Sequence, residues 1–125
     1  MKLEHVGLFV DDLEKARAFY TKYFGAKAEA KYHNPKTGFS SYFMDFEDGA
    51  RLELCHQDNL AADVSDCLGF AHLAISLGSK EAVDQKTEEL TSAGYKHLSG
   101  PRTTGDGYYE AVVLDLDGNK LELTI

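Results

Sequence analysis

The sequence predicts an α+β fold in which two βαβββ modules form a curved mixed sheet around a cavity. A repeated stretch is the first reason: Asp48–Leu54 (DGARLEL) and Asp117–Leu123 (DGNKLEL) place Asp, Gly, a basic residue, Leu, Glu and Leu in the same order. The second reason is that the same succession of strand and helix signals precedes each copy. Because this long period occurs only twice, it indicates duplication of one supersecondary unit rather than a solenoid repeat.

The first half of the sequence, about residues 1–55, is predicted to form one βαβββ module. Asp11 or Asp12 can cap a helix whose apolar residues recur at helical spacing, and Gly25 can end it. The Asp-Gly pair of the repeated stretch favours a hairpin, because glycine adopts the positive φ that a tight turn requires. The strands of this module are predicted over residues 2–10, 28–32, 39–46 and 51–55.

The second half, about residues 70–125, repeats this order after a polar linker over 56–69. Ser79 can cap the helix, which is expected to end near Gly94. Residues 100–107 are predicted to form a loop. The strands are predicted over residues 70–77, 95–98, 108–116 and 120–125.

Length, composition and charge limit the class of protein. With 125 residues, 43% of them hydrophobic, we expect a single globular domain over residues 1–125. The net charge of -8 and the pI near 5.0 argue against binding to nucleic acid or to an anionic membrane. No charged-then-apolar leader opens the sequence, and no apolar run approaches the roughly 20 residues of a membrane span. We therefore expect a soluble, cytoplasmic protein, with Cys55 and Cys67 reduced because they form no CxxC pair.

Two histidines and two glutamates occupy matching places in the two halves. His5 and His72 lie in the opening strands, and Glu53 and Glu122 lie in the closing strands. Because strand side chains alternate between two faces, all four fall opposite the apolar row, on the face that a curved sheet would present to a cavity. Two imidazoles and two carboxylates can hold a divalent cation such as Zn, Ni, Co, Mn or Fe(II), among which the sequence does not choose.

Each of these residues also has an ordinary structural interpretation. A lone histidine on a strand is more often satisfied or exposed than a ligand, and a glutamate beside a lysine is usually solvated surface. The matched placement in both halves favours metal ligands. His33, His56 and His97 have no matched partners and are assigned to the surface, and Cys55 is interpreted as a small buried thiol.

Three motifs identify a resemblance that extends over essentially the whole chain. They are His5–Gly25 (HVGLFVDDLEKARAFYTKYFG), Gly69–Ser76 (GFAHLAIS) and Asp115–Leu123 (DLDGNKLEL). Together with the two βαβββ modules, they resemble the vicinal oxygen chelate superfamily and imply the glyoxalase/bleomycin resistance/dihydroxybiphenyl dioxygenase fold. This superfamily includes glyoxalase I, methylmalonyl-CoA epimerase, extradiol dioxygenases, fosfomycin-modifying enzymes and bleomycin-binding proteins.

Within this superfamily, the four candidate ligands are most similar to those of glyoxalase I. Its His/Glu/His/Glu pattern matches His5, Glu53, His72 and Glu122, whereas the epimerase typically has Gln at the place of Glu53. The resemblance implies a divalent metal ion, Zn or Ni, and a lyase that isomerises the hemithioacetal of methylglyoxal and a thiol to a thioester through a metal-stabilised enediolate. It also implies that Glu122 removes the carbon-bound proton, with Glu53 as the second candidate.

Departures from the glyoxalase pattern leave the thiol open. Glutathione-dependent members usually carry an Arg on the first strand where this sequence has Phe9, and Arg102 lies in the loop that holds their other basic residues. The resemblance thus implies substrate contacts from Phe9 and Arg102, and a homodimer in which the metal ligands meet within one chain or across two. The alternatives are an epimerase-like or thiol-transferring metalloenzyme, and a bleomycin-resistance-like protein that binds a small ligand without catalysis.

Overall fold

The computed structural model of the chain describes residues 3–61, 70–105 and 107–125. The chain divides into two compact units, Met1–Asp63 and Val64–Ile125, which we call unit 1 and unit 2. In its described part, each unit combines one α-helix with its own mixed β-sheet, and neither helix is long and apolar enough to cross a membrane. This arrangement confirms the predicted α+β class, while the single domain over residues 1–125 stays a prediction.

Unit 1 follows the predicted module, with one short strand more than expected. Its elements are β1 (His5–Phe9), α1 (Leu13–Phe24), β2 (Lys27–Ala28), β3 (Tyr32–His33), β4 (Ser40–Asp45) and β5 (Arg51–His56). The strands follow the order β1-β5-β4-β2, and β3 also pairs with β4. β1 runs parallel to β5, and the other pairs are antiparallel. A parallel pair needs a crossover connection, which the segment containing α1 supplies.

Helix α1 covers the apolar face of the first sheet. Asp12 accepts a hydrogen bond from the backbone amide of Lys15 at 3.0 Å, and Gly25 ends the helix with a φ of 66°, as the sequence predicts. The helix packs on β4 and β5, where Leu52 and Leu54 are buried. Burial of a leucine side chain is worth roughly 1.5–3 kcal/mol. This packing therefore fixes which face of β5 turns away from the core.

Unit 2 repeats the module. Its elements are β6 (Leu73–Ser76), α2 (Lys80–Ser92), β7 (His97–Thr103), β8 (Tyr109–Leu114) and β9 (Lys120–Thr124). The sheet has the order β6-β9-β8-β7, with β6 parallel to β9. Ser79 caps α2 by accepting a hydrogen bond from the Ala82 amide at 3.1 Å, as expected. The fully buried side chains of this unit include Val83, Leu90, Ala111, Val113, Leu121 and Leu123.

The long strand β7 replaces a predicted loop. The sequence predicts a strand over 95–98 and a loop over 100–107, but β7 extends to Thr103, so the loop prediction is wrong for its first residues. Gly100 has a φ of 80° and lies so close to β8 that an added Cβ would stand 2.3 Å from the carbonyl oxygen of Glu110. The glycine and the proline after it are turn signals in sequence. Pairing with β8, interrupted by shifts of register, overrides those signals.

Several boundaries differ from the prediction. The single short strand expected over 28–32 is two separate strands, β2 and β3. β6 begins at Leu73 rather than at residue 70, where Phe70 is 89% exposed and does not join the sheet. β5 includes His56, the first residue of the predicted linker. The rest of that linker lies mostly at 62–69, outside the described residues, together with the prediction for Cys67.

The buried carboxylate of Asp115 stabilises the turn before β9 through hydrogen bonds to residues of that turn. It accepts hydrogen bonds from the backbone amides of Asp117 and Asn119 at 2.9 Å each, and from the Asn119 side chain. The matching place in unit 1 is Phe46, whose ring offers no oxygen to its turn. The two copies of the repeated stretch thus enter their closing strands through turns of different construction.

Candidate metal centre

The first candidate half-site is the pair of His5 and Glu53 in unit 1. β1 and β5 are hydrogen-bonded neighbours whose register sets Gly7 opposite Glu53, and His5 lies two residues earlier on the same face. The Nε2 atom of His5 is 3.8 Å from Oε2 of Glu53. The imidazole also meets the ring of Phe43 edge to face, with centroids 5.2 Å apart. Strand pairing and this ring contact together direct Nε2 toward the carboxylate.

The second candidate half-site is the pair of His72 and Glu122 in unit 2. Glu122 lies on β9 opposite Ala74 of β6, and His72 immediately precedes β6 rather than lying in it as predicted. The Nε2 atom of His72 is 3.4 Å from Oε2 of Glu122. Leu121 and Leu123 point to the helix side of the sheet, so Glu122 faces the other side. The structure therefore repeats the pairing of the first half-site with the same two atoms.

The donors of both half-sites fit a divalent metal ion. Both histidine side chains are about two-fifths exposed and both glutamates about one-fifth. Two donors that bind one ion at roughly 2.1 Å and at a right angle lie about 3 Å apart, so each pair needs only a small adjustment. Imidazole nitrogen and carboxylate oxygen suit borderline divalent ions. Among the described residues, no three His, Cys, Asp or Glu side chains form a group that could hold a metal, so each unit offers a pair.

A network of charged side chains lies behind His5. The carboxylate of Glu4 contacts Nδ1 of His5 and accepts hydrogen bonds from Arg51 through Nε, at 2.9 Å, and Nη2. Arg51 also donates to Glu29 at 3.0 Å, and its guanidinium lies 4.2 Å from the ring centroid of Phe43. The hydrogen bond with His5, followed by those from Arg51, lowers the pKa of Glu4 below its ordinary value.

Sequence reasoning misses Glu4 for a geometric reason. In a strand, Glu4 and His5 would point to opposite faces. Glu4 precedes the first residue of β1, so the alternation does not apply to it. The only available signal is an acid next to a candidate ligand, which is too common to identify a site.

The two predicted substrate contacts lie in different settings. Phe9 is at the end of β1, on the face of His5 by alternation, and is 53% exposed. Arg102 lies on β7, which β8 separates from the strand of Glu122. Its guanidinium is 3.8 Å from the carboxylate of Glu110 on β8. Substrate contact by Phe9 and Arg102 stays a prediction.

The other histidines bind within their own units. His33 and His97 are exposed, as predicted, whereas His56 is half-buried because β5 extends to include it. A surface position for His56 is therefore only partly right. The hydrogen-bond partners are Ser40 Oγ for His33 at 2.8 Å, Val10 O for His56 at 2.9 Å and Ser99 O for His97 at 2.9 Å.

Cys55 is a buried free thiol, as the sequence predicts. It is 7% exposed, and its Sγ lies 3.5 Å from the backbone oxygen of Glu53. Burial, followed by the charge of Glu53, raises the pKa of the thiol to about 11. The sulfur therefore remains protonated at neutral pH, which makes it a poor thiolate ligand.

A separate groove of about 400 Å³ lies beside α2 in unit 2. The hydroxyl of Tyr109 donates to Asp84 at 2.7 Å there, and the Lys80 ammonium lies 5.0 Å from the Tyr109 ring centroid. The hydrogen bond to Asp84 is the main cause that raises the pKa of Tyr109. The groove is lined by Asp84, Thr87, Glu88, Thr91, His97, Pro101 and Tyr109, and therefore by neither member of the unit 2 pair.

Comparisons with known proteins agree with this architecture. A family model described as the Glyoxalase/Bleomycin resistance protein/Dioxygenase superfamily matches residues 2–123. The uncharacterized protein YqjT of Bacillus subtilis is 32% identical over 97% of this chain and 96% of its own length. A lactoylglutathione lyase of Salmonella typhimurium is 28% identical over 98% of this chain and 91% of its own.

Solved structures give the same result. Glyoxalase I from Zea mays superposes with a TM-score of 0.81 at 26% sequence identity. The match covers 98% of this chain but only 44% of the maize chain. The similarity therefore relates the whole of this chain to less than half of the maize protein.

Proposed function

The chain belongs to the Glyoxalase/Bleomycin resistance protein/Dioxygenase superfamily, and from this premise we propose that it is a metal-dependent lyase of the glyoxalase I type. Its substrate would be the hemithioacetal that a 2-oxoaldehyde such as methylglyoxal forms with a thiol. The product would be the isomeric thioester. The distant similarity to lactoylglutathione lyases supports this reaction class.

The observation that carries the proposal is the repeated pairing of a histidine nitrogen with a glutamate oxygen. Nε2 and Oε2 lie 3.8 Å apart in one unit and 3.4 Å apart in the other. The pair recurs with the same atoms and similar burial in both units, although the residues that precede the two histidines, Glu4 and Ala71, differ. Four such donors, two from each unit, would hold one divalent ion and leave room for substrate oxygens beside them.

His5, Glu53, His72 and Glu122 would hold a divalent ion, Zn or Ni, with the two pairs meeting within one chain or across a homodimer. When bound, such an ion supplies Lewis-acid stabilisation of the negative charge that develops on the substrate oxygens. The side chains of the protein would bind the ion and transfer the protons. The imidazoles contribute neutral donors, while the carboxylates contribute charge and can exchange protons.

Glu122 is the proposed base, with Glu53 as the second candidate. The base takes the proton from the carbon that bears sulfur and hydroxyl, and the proton returns to the neighbouring carbonyl carbon. The hydroxyl proton of the first carbon moves to the oxygen of the second. The first carbon then becomes the thioester carbonyl and the second carries the hydroxyl, so atoms and electrons balance without an external oxidant. General acid–base catalysis of this kind contributes about 10²- to 10⁴-fold. Only 18% of the Glu122 side chain is exposed, which limits the access of competing water to this carboxylate.

Phe9 and Arg102 are the proposed substrate contacts. The exposed ring of Phe9 can cover an apolar part of the substrate on the face of His5. Arg102, whose side chain is 61% exposed, can bind an anionic group on the thiol. We assign no particular thiol, because this sequence has Phe9 where glutathione-dependent members of the superfamily usually carry an Arg.

The first prediction concerns Glu122→Gln. We expect this change to lower kcat for the hemithioacetal of methylglyoxal by at least about 10²-fold, because the amide cannot accept the proton. Thioester formation with glutathione and with several other thiols measures the rate. Bound metal, measured on protein purified without chelator, reports on the coordination separately.

Glu110→Gln is the matched control for metal content. Glu110 lies on the same face of the same sheet and is similarly buried, but its partner is Arg102 rather than a histidine. It should keep the bound ion. A wild-type protein with no tightly held divalent ion would contradict the proposal and favour a small-ligand binding protein. Bound metal without thioester formation for any thiol would favour an epimerase-like or thiol-transferring reaction.

A further inference from the structure

We propose that Glu4 is a positioning residue for the metal ligand His5, an inference that rests on the proposed function. Glu4 would hold the imidazole in the tautomer that carries its proton on Nδ1. The Nε2 lone pair would then be available to a cation on the side of Glu53. Glu4 would itself contact neither the metal nor the substrate.

The hydrogen bonds around Glu4 determine the direction of the bond to His5. Arg51 is permanently charged and donates to Glu4 from Nε at 2.9 Å and from Nη2, which keeps the carboxylate ionised. An ionised carboxylate can only accept, so Nδ1 of His5 must be the donor. A neutral imidazole has one N–H, and its other nitrogen, Nε2, is therefore the acceptor. That nitrogen lies 3.8 Å from Oε2 of Glu53.

The same contacts also fix the plane of the ring. Arg51 reaches Glu29 at 3.0 Å with its third nitrogen, so the carboxylate of Glu4 is bound to a group that is itself anchored. Phe43 meets the His5 ring edge to face and lies under the Arg51 guanidinium. A carboxylate or carbonyl behind a metal-binding histidine usually changes metal affinity by about 10- to 100-fold.

Among its described residues, unit 2 shows no equivalent of the Glu4–Arg51 arrangement. The residue before His72 is Ala71, which has no side-chain oxygen, and the residue that matches Arg51 in the repeated stretch is Lys120. The two pairs of ligands are therefore alike, but their supports are not. We infer that His5 is the better organised of the two histidine ligands before metal binds.

Glu4→Ala tests the inference by metal affinity. We expect the Kd for Ni²⁺ or Zn²⁺, measured by competition with a chromophoric chelator, to rise about 10- to 100-fold. Glu4→Gln, which keeps an acceptor oxygen for Nδ1, should retain more affinity than Glu4→Ala. Both variants should fold, because the Glu4 side chain is 54% exposed.

Glu14→Ala is the matched control. Glu14 is an ion-paired glutamate of unit 1 with nearly the same exposure, 51%, and it binds Arg17, Lys31 and Tyr42 rather than a histidine. Its removal changes the net charge of the protein by the same amount as the removal of Glu4. An equal loss of metal affinity in both variants would overturn the inference, because it would show only the effect of net charge.

The histidine tautomer in metal-free protein separates this inference from the proposed function. Nitrogen NMR of the imidazoles should show His5 protonated on Nδ1 in the wild type and in Glu14→Ala, and the Nε2–H form in Glu4→Ala. A wild-type protein that binds no divalent ion would defeat the proposed function and the metal role of Glu4 with it. A tautomer that does not change in Glu4→Ala would overturn the inference even in a protein that binds metal.

Discussion

The chemistry of each half-site depends on which nitrogen of a histidine faces the paired glutamate. In both units it is Nε2, although the surroundings of the two rings differ. His5 has an aromatic neighbour and a carboxylate behind it, whereas His72 stands just before its strand. The shared feature is the histidine–glutamate pair, and the differences lie in the residues around it. The two units therefore have the same pair of side chains in different surroundings.

Tyr109 allows a residue-scale prediction about pH. Its hydrogen bond to Asp84 raises its pKa above the ordinary value near 10, so the folded chain keeps the phenol protonated to higher pH than the unfolded chain. The stabilising effect is present below pH 10 and is lost as the pH rises through the raised pKa. We expect Asp84→Asn to return the Tyr109 pKa toward 10, as followed by carbon NMR of the phenol ring.

Glu88→Gln provides the comparison for this prediction. Glu88 lines the same groove but bonds to Ser92 rather than to Tyr109. It should leave the Tyr109 titration nearly unchanged. If both variants shifted the titration equally, the general charge of the groove rather than the hydrogen bond would be responsible.

Single residues could be predicted from sequence where their partners repeat. His5 and Glu53 were identifiable because the same residue types stand at matching places in the other half, and strand alternation puts each glutamate opposite the leucines. The roles of Glu4 and Arg51 could not be predicted in this way. Their contacts depend on how the chain enters β1, and no local periodicity describes that entry.

At the scale of secondary structure, each helix fixes the orientation of its sheet. A parallel pair of strands, β1 with β5 and β6 with β9, requires the chain to cross over, and in each unit the helix lies in that crossover. The apolar side of the helix then covers the leucines of the closing strand. The glutamates of those strands are consequently turned to the opposite face.

Gly100 gives an element-scale prediction. Gly100→Ala should lower the free energy of unfolding by about 2–4 kcal/mol, because the new Cβ would combine a positive φ with a clash against the backbone of β8. Urea denaturation followed by circular dichroism measures the change. Gly94→Ala is the matched control, since Gly94 also has a positive φ, 93°, but has open space around it. Equal losses in the two variants would show that close approach to β8 contributes nothing.

The helices and most strands were predictable because caps and alternation are local signals. Asp12, Gly25 and Ser79 lie where capping chemistry predicts them. The extension of β7 beyond Leu98 was not, because Gly100 and Pro101 resemble a loop, and only the pairing of residues on either side of them with β8 continues the strand. Long-range pairing overrides local preference in strands more readily than in helices.

At the scale of the whole molecule, the two units repeat one architecture with one histidine–glutamate pair each. The family model spans almost the entire chain, which agrees with the two modules predicted from the repeated stretch. Sequence alone could not tell how the pairs combine, because repetition gives the content of each unit and not the contact between them.

Metal stoichiometry tests the combination of the pairs. We expect one tightly bound ion per chain rather than two, because a tight site requires about four ligands and each unit offers two. Elemental analysis against protein concentration measures this ratio. Two ions per chain would contradict the proposed pairing and would make each half-site a centre of its own.

A heterodimer of Glu53→Gln and Glu122→Gln, purified through two tags, identifies the chains that contribute. If the pairs meet across a dimer, one of its two sites contains only wild-type residues, and about half of the wild-type activity returns. If the pairs meet within one chain, both sites stay defective. Each homodimeric variant, measured alone, supplies the baseline.

The turn before β9, which the Asp115 carboxylate stabilises, distinguishes the two candidate bases, Glu122 and Glu53. Asp115 anchors the backbone from which Glu122 starts, while Phe46 leaves the corresponding stretch before Glu53 without such an anchor. A carboxylate that takes up a proton and returns it must occupy the same position in each reaction cycle, and a fixed backbone helps to hold it there. Upstream of Glu122, the proposed base, the chain therefore has an anchor that it lacks at the matching position before Glu53.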